Sequence, residues 1–437
     1  MIVRPLTALL TLALAACAPL KPQPAAEKRY SAGELLALRP GDFIWPAMST
    51  NGERAQREAA LADIRARLAL PPGAERDAAL PKPFDLVAQY NLEIDAARPL
   101  RLQALPTLAG RDADYQRALL TAARTLYATE AQSAVQSLLP QLSVSKPFAI
   151  GAYTLMAANP GYGEFIRDLV PRQFPLWRDD PRLVALMDSV APVRMASPPL
   201  ADLLSAPLRP GYPVLYSLQR PGRTDMGLVL VRDADGRFVR DARGQLFTQP
   251  QLALSRSGLP GTITNGNTPQ GVFTIVGAGT ATNPNIGPTP YLHSKLPIEA
   301  TPMEFEHGDT AAAWDEAVYA SFLPPSWRAY PGIKEAWLAG RAGRDELLVH
   351  GTTINPAYYA GTSYFPGTPQ QGCMISNEDW DPATGRLLDS RQLTLAQAYA
   401  MASPRQDLAG YLIVVELAGQ GPVAPVEAQA LVAAAGR

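Results

Sequence analysis

Cysteine is almost missing from this chain: its 437 residues hold only Cys17 and Cys373. Histidine is nearly as scarce, at three, and the histidines and cysteines show no ligand spacing, which argues against a zinc centre. No metal or organic cofactor is implied. An excess of either charge is missing too: a formal net charge of −1, with no Lys/Arg cluster, leaves no electrostatic footprint for nucleic acid. There is no P-loop, no dinucleotide-binding glycine pattern and no G-x-S-x-G elbow. What the chain does have is proline, 43 residues of it, which calls for many loops and turns and argues against a helical bundle throughout. At 47% hydrophobic and 18% charged it is an ordinary globular composition, long enough for two or three domains.

The N-terminus carries an address. Arg4 precedes an apolar stretch, Leu6 to Ala16, too short to cross a bilayer. It ends in Leu14-Ala15-Ala16-Cys17, similar to a bacterial lipobox in which the cysteine takes the lipid. The resemblance implies a signal peptide over 1–17, lipid on Cys17, and a proline-rich tether over 18–29. Ala18 is not the aspartate that retains many such proteins at the inner membrane, so the expected place is the periplasmic side of the outer membrane. Cys373 then has no intramolecular partner in an oxidising compartment. Such a thiol is either buried and inert or reactive and used.

Residues 30–205 read as mostly helical, with no chemistry to assign. Thr50 and Glu53 fit a capping box ahead of Leu61, Ile64 and Leu68 at helical spacing. A second helix is expected over Tyr115 to Leu139, and Asp180-Pro181 reads as an N-cap with proline at the first helical position. Composition changes near Leu208. Runs at 213–218, 226–231, 272–276 and 411–417 read as strands, the last buried on both faces, and Asp235-Gly236 signals a hairpin. The segment 297–345 breaks this β pattern and is either a lid or a helical decoration. Residues 420–437 read as a frayed helical tail.

Two segments could carry chemistry. Leu347-Leu348-Val349-His350-Gly351 is an apolar strand delivering a histidine, and Gln370-Gln371-Gly372-Cys373 is a glycine-preceded cysteine. Imidazole near a thiol can take its proton and leave a thiolate nucleophile. A glycine at that turn lets the amides of Gln371, Gly372 and Cys373 converge on one oxygen and hold a tetrahedral oxyanion.

A third segment, Ser257-Gly258 followed by Asn267-Thr268-Pro269-Gln270-Gly271-Val272-Phe273-Thr274-Ile275, completes an ordered set. Together the three resemble the catalytic domain of L,D-transpeptidases (the YkuD type), over roughly 208–419. The fold class expected is α+β: an N-terminal helical domain, then a β-rich L,D-transpeptidase-like domain carrying a long, partly helical insertion. The resemblance implies Cys373 as nucleophile, His350 as its base, the Gly351 carbonyl as orienter of the imidazole, and peptidoglycan stem peptides as substrate. Gln370, Tyr291 and His293 match positions near the substrate, although His293 also reads as a surface histidine. Gln370 and Gln371 stand where the family has Ser/Thr and His, which removes a second titratable group next to the thiol. Tyr358, Tyr359, Tyr364 and Phe365 either line the groove or pack within their loop.

Overall fold

The computed structural model describes residues 28–436 except 91, 93, 193–194, 282, 284 and 309–312. The lipobox and Cys17 lie outside the described residues. The chain is α+β. Its strands are β1 (Lys28–Tyr30), β2 (Val214–Gln219), β3 (Gly227–Arg232), β4 (Gln249–Gln251), β5 (Gly271–Thr280), β6 (Tyr291–Lys295), β7 (Val349–Gly351), β8 (Met374–Ser376), β9 (Glu378–Trp380), β10 (Leu387–Ser390) and β11 (Ala409–Glu416). Nine of them form one mixed sheet in the order β4-β3-β2-β11-β5-β6-β7-β8, with β1 added alongside β5; β9 and β10 pair separately. The sheet curls until it nearly closes, because Leu252, just beyond β4, exchanges backbone hydrogen bonds with Ile375 of β8.

Alternation along β11 explains its unbroken apolar run. Leu412 and Val414 face a core filled by Phe273, Ile275 and Leu395, whereas Tyr411, Ile413 and Val415 face a second core on the other side. The 297–345 insertion contributes to that second core, where its Tyr319 and Trp327 are fully buried. Much of the insertion is therefore helical decoration on the sheet, while its end, at Arg344 and Asp345, reaches the cavity of Cys373. The Asp235-Gly236 turn does close a hairpin: Val239 N–H donates to Val231 O at 2.9 Å, and Gly236 supplies the positive φ of 88°.

The helical half has its own core around Phe84, Leu120, Phe148 and Leu186. Asp180 caps the helix Pro181–Val190 as its Asp-Pro pair suggested. Several boundaries differ from the sequence reading. The helical half does not begin at 30, because Tyr30 pairs with Ala278 in the sheet and Leu35 packs in the sheet's core. It does not reach 205, since the helix Leu200–Ser205 packs with Val214 and Tyr216. The tail is no frayed end: the helix Pro425–Ala434 buries Ala428 and Val432, and Glu427 pairs with the buried Arg220 at 2.7 Å. The expected 115–139 helix is two, Ala113–Leu126 and Ala128–Leu138, broken at Tyr127 with φ −141° and ψ 30°. The capping box at Thr50 is not formed either. Ser49 caps that helix through Gly52 N–H, which frees Glu53 to accept from Asn355 Nδ2 at 3.0 Å and Tyr358 Oη at 2.6 Å. Glu53 thus ties the helical half to the loop between His350 and Cys373.

Candidate active site

Strands β7 and β8 run parallel with Val349 beside Met374 and His350 beside Ile375. Val349 and Met374 both turn into the sheet's inner core. Their neighbours Leu348, His350 and Cys373 consequently turn the other way, and all three line one cavity open to solvent. Thr264, Asn265 and Asn285 from loops, and Arg344, Asp345 and Glu346 from the end of the insertion, complete much of its wall. Gln370 and Gln371 also border it; Tyr291 and His293 do not. Tyr291 is buried in β6 with His293 edge-on to its ring, so the sheet register carries these two away from the cavity wall.

His350 is buried, and its Nδ1–H donates to the Gly351 carbonyl at 2.6 Å, leaving Nε2 as the nitrogen with the lone pair. A Cβ at Gly351 would overlap the carboxyl of Glu378, which would have to move aside. Cys373 is partly exposed. Its Sγ accepts from Leu348 N–H at 3.5 Å and lies 3.6 Å from the Glu346 carbonyl, to which its S–H donates.

Protonation follows from this burial. Desolvation lowers His350 to about 4, partly offset by the bond to Gly351. Desolvation also pushes the Cys373 thiol up, against the Leu348 amide and the Arg344 cation, which pull it down. The resting pair is therefore neutral, contrary to the ion pair expected from imidazole beside thiol, because both charged forms lose water on burial. Iodoacetamide alkylation of Cys373 is accordingly expected to follow a pH midpoint above the ordinary thiol value of about 8.5. A midpoint below that value would restore the ion pair.

The Gln370–Cys373 turn is held by its carbonyls. Arg256 N–H donates to Gln370 O at 2.8 Å, Arg344 Nη2 to Gln371 O at 3.0 Å, and Thr268 Oγ1 to Gly372 O at 2.6 Å. A trans peptide points its N–H opposite to its carbonyl. The amides of Gln371, Gly372 and Cys373 are thus turned away from these three anchors, and they have no acceptor among the described residues. Gly372 takes φ +106°, and a Cβ on it would overlap both Arg344 Nη2 and the Gly266 carbonyl. The glycine before the cysteine is required by this close approach.

Arg344 is the residue that motif reasoning missed. It is buried and donates to four carbonyls: Gly261 at 3.0 Å, Ile263 at 2.6 Å, Gly266 at 2.8 Å and Gln371 at 3.0 Å. No carboxylate lies within ion-pair distance of it among the described residues. Burial lowers its guanidinium to about 10, and its charge acts on Cys373. One arginine among many carries no sequence signal until the fold buries it.

The other aromatic and histidine candidates separate. Tyr358 lines a neighbouring cavity, Tyr359 packs with Tyr364 at 6.1 Å, and Phe365 is exposed. His307 caps a short helix and meets Thr274 Oγ1 and Gly410 O at 2.9 Å each. No group of three metal-ligating side chains occurs among the described residues. In comparisons with known proteins, no family model, no curated protein and no solved structure matches this chain.

Proposed function

We propose that this protein is an L,D-transpeptidase-like cysteine acyltransferase acting on peptidoglycan stem peptides. One observation carries the reading: three consecutive carbonyls are tied to the protein, leaving three consecutive amides without acceptors at a turn whose cysteine shares a cavity with a neutral imidazole. Such a set of donors suits a developing oxyanion. Cys373 Sγ attacks the carbonyl of the diaminopimelate residue, and its proton passes to His350 Nε2. The amides of Gln371, Gly372 and Cys373 hold the tetrahedral oxygen. The C–N bond then breaks, the imidazolium protonates the leaving D-alanine amine, and a thioester remains. The amine of a second stem attacks that thioester, the C–S bond breaks, and a proton returns to sulfur. Water in place of the amine gives an L,D-carboxypeptidase on the same site. The proton transfer becomes productive once substrate covers the cavity, because the oxyanion, not a resting thiolate, then carries the charge.

A second reading is a non-catalytic lipoprotein that holds stem peptides in the same cavity. The neutral resting pair, with the thiol donating to Glu346 rather than to imidazole, is the observation in its favour. Under either reading the chain is anchored through lipid on Cys17 at the periplasmic side of the outer membrane. Muropeptide analysis of purified wall treated with wild type or with Cys373→Ala separates the outcomes. New cross-links, or trimmed stems, that need Cys373 are the expected result. An identical muropeptide profile with both proteins would leave only the binding reading.

A further inference from the structure

The cavity of Cys373 meets two kinds of polar group. The turn from Gln371 to Cys373 brings amide donors to it. The end of the insertion brings acceptors, the exposed carboxylates of Asp345 and Glu346. Neither carboxylate has a hydrogen bond or ion pair among the described residues. Arg344 is the only cation lining this cavity among the described residues, and it is buried beneath them. Its Nη1 and Nη2 each donate to two backbone carbonyls, so all four terminal N–H groups are engaged.

Two features work against Glu346 where it stands. Its φ of +53° is a left-handed backbone that glycine or asparagine adopts more readily than glutamate. Its charge also pushes the Cys373 thiol up, which opposes formation of the nucleophile. The backbone is fixed from both sides, since Glu346 N–H donates to Glu299 Oε1 at 3.1 Å and Cys373 S–H donates to the Glu346 carbonyl at 3.6 Å. Glu299 adds negative charge behind the pair. A carboxylate kept here against both backbone and thiol calls for a positively charged ligand.

The histidine points to the same ligand independently. His350 is only 1% exposed and turns into this cavity, with Nδ1–H committed to the Gly351 carbonyl. Its Nε2 has no partner among the described residues and carries a lone pair, so it accepts from an N–H of whatever binds beside it. Two carboxylates and an imidazole lone pair are acceptors only. A primary ammonium has donors only, three N–H groups on one positive centre, and matches them.

We propose that Asp345 and Glu346 select the acceptor at this site, holding a protonated primary amine at the cavity mouth and presenting it to acylated Cys373. The inference rests on the acyl-transfer reading and deepens it, because it names what favours an amine over water. One proton leaves the ammonium for solvent. The free amine forms the C–N bond and passes a second proton to His350 Nε2, the C–S bond breaks, and that proton returns to sulfur.

The experiment gives the full chain a disaccharide-tetrapeptide donor at about pH 7.5 with either of two acceptors. Cadaverine carries cationic primary amines; hydroxylamine is largely uncharged at that pH and captures thioesters as hydroxamates. In the double variant Asp345→Asn, Glu346→Gln, the preference for cadaverine over hydroxylamine is expected to fall about fivefold, through KM rather than kcat. A second measurement needs no variant and decides the matter where the double variant does not fold. In wild type, raising salt from about 0.05 M to about 0.5 M should raise the KM for cadaverine more than that for hydroxylamine. An unchanged preference in the folded variant, or equal salt dependence of the two acceptors, would overturn the part given to Asp345 and Glu346 while leaving acyl transfer intact. Wild type that forms no hydroxamate, or forms it equally with Cys373→Ala, would remove the acyl-transfer reading and the acceptor assignment together.

Discussion

Arg344→Met is expected to destabilise the protein by roughly 3–5 kcal/mol, because each buried acceptor left without a donor costs about 1–3 kcal/mol. The loss is not that of an ion pair. Four carbonyls, at Gly261, Ile263, Gly266 and Gln371, lose their donor at once inside a closed turn. Methionine fills much of the volume but leaves three of those oxygens unpaired, since only Ile263 O keeps another donor, Gly266 N–H at 2.9 Å. Lysine at this position is not expected to rescue, since a compact ammonium cannot reproduce a planar fork that reaches four acceptors. The cation also stands beside Cys373 and pulls its thiol down. In the variant the alkylation midpoint of Cys373 should therefore move further upward. Urea unfolding measures the first effect and the alkylation profile the second. Unfolding within about 0.5 kcal/mol of wild type would show that Arg344 is a surface-like residue energetically, whatever its geometry.

Glu378→Gln is expected to change how stability depends on pH. Glu378 is buried behind Gly351, Ser390 Oγ donates to its Oε1 at 2.7 Å, and Oε2 has no partner. Burial pushes its carboxyl up to about 8 from an ordinary 4.5. The folded state therefore keeps a proton that the unfolded state has released. This contribution is fully present below about 4.5 and is lost as pH rises through about 8. His350 has the opposite sign: its depressed value of about 4 makes the folded state bind fewer protons, so that contribution is lost as pH falls from 6.5 through 4. Between pH 6.5 and 8 only the glutamate slope of the two remains. One proton is worth about 1.4 kcal/mol per pH unit, so Glu378→Gln should gain roughly 2 kcal/mol on wild type across that window. Glutamine mimics the neutral acid and has nothing to titrate. Urea unfolding of both proteins at several pH values gives the difference directly, and two parallel curves would sink the assignment.

Both variants act from behind the reacting groups, where the local sequence gives little warning. The strands were legible because their cause is local: apolar β-branched runs such as Leu412 to Val415 pair and bury wherever they meet a sheet. The Asp180-Pro181 cap and the Asp235-Gly236 turn were legible for the same reason, since a few neighbouring residues complete their own hydrogen bonds. The Thr50–Glu53 box was misread because the glutamate's partners lie some three hundred positions away, on Asn355 and Tyr358.

What the sequence determined by itself was the chemistry on offer: one cysteine after a glycine, one histidine ending an apolar strand, and a glycine wherever backbone had to pass close to a neighbour. What only the tertiary structure decided was everything that depends on distance and on water. It buried Arg344 against four carbonyls and set β6 in a register that carries Tyr291 and His293 off the cavity wall. It also docked the helical half against the loop that walls the cysteine cavity, through Leu259 and Ile263. Desolvation and contacts across hundreds of residues are properties of the folded volume. No window of neighbouring residues contains them.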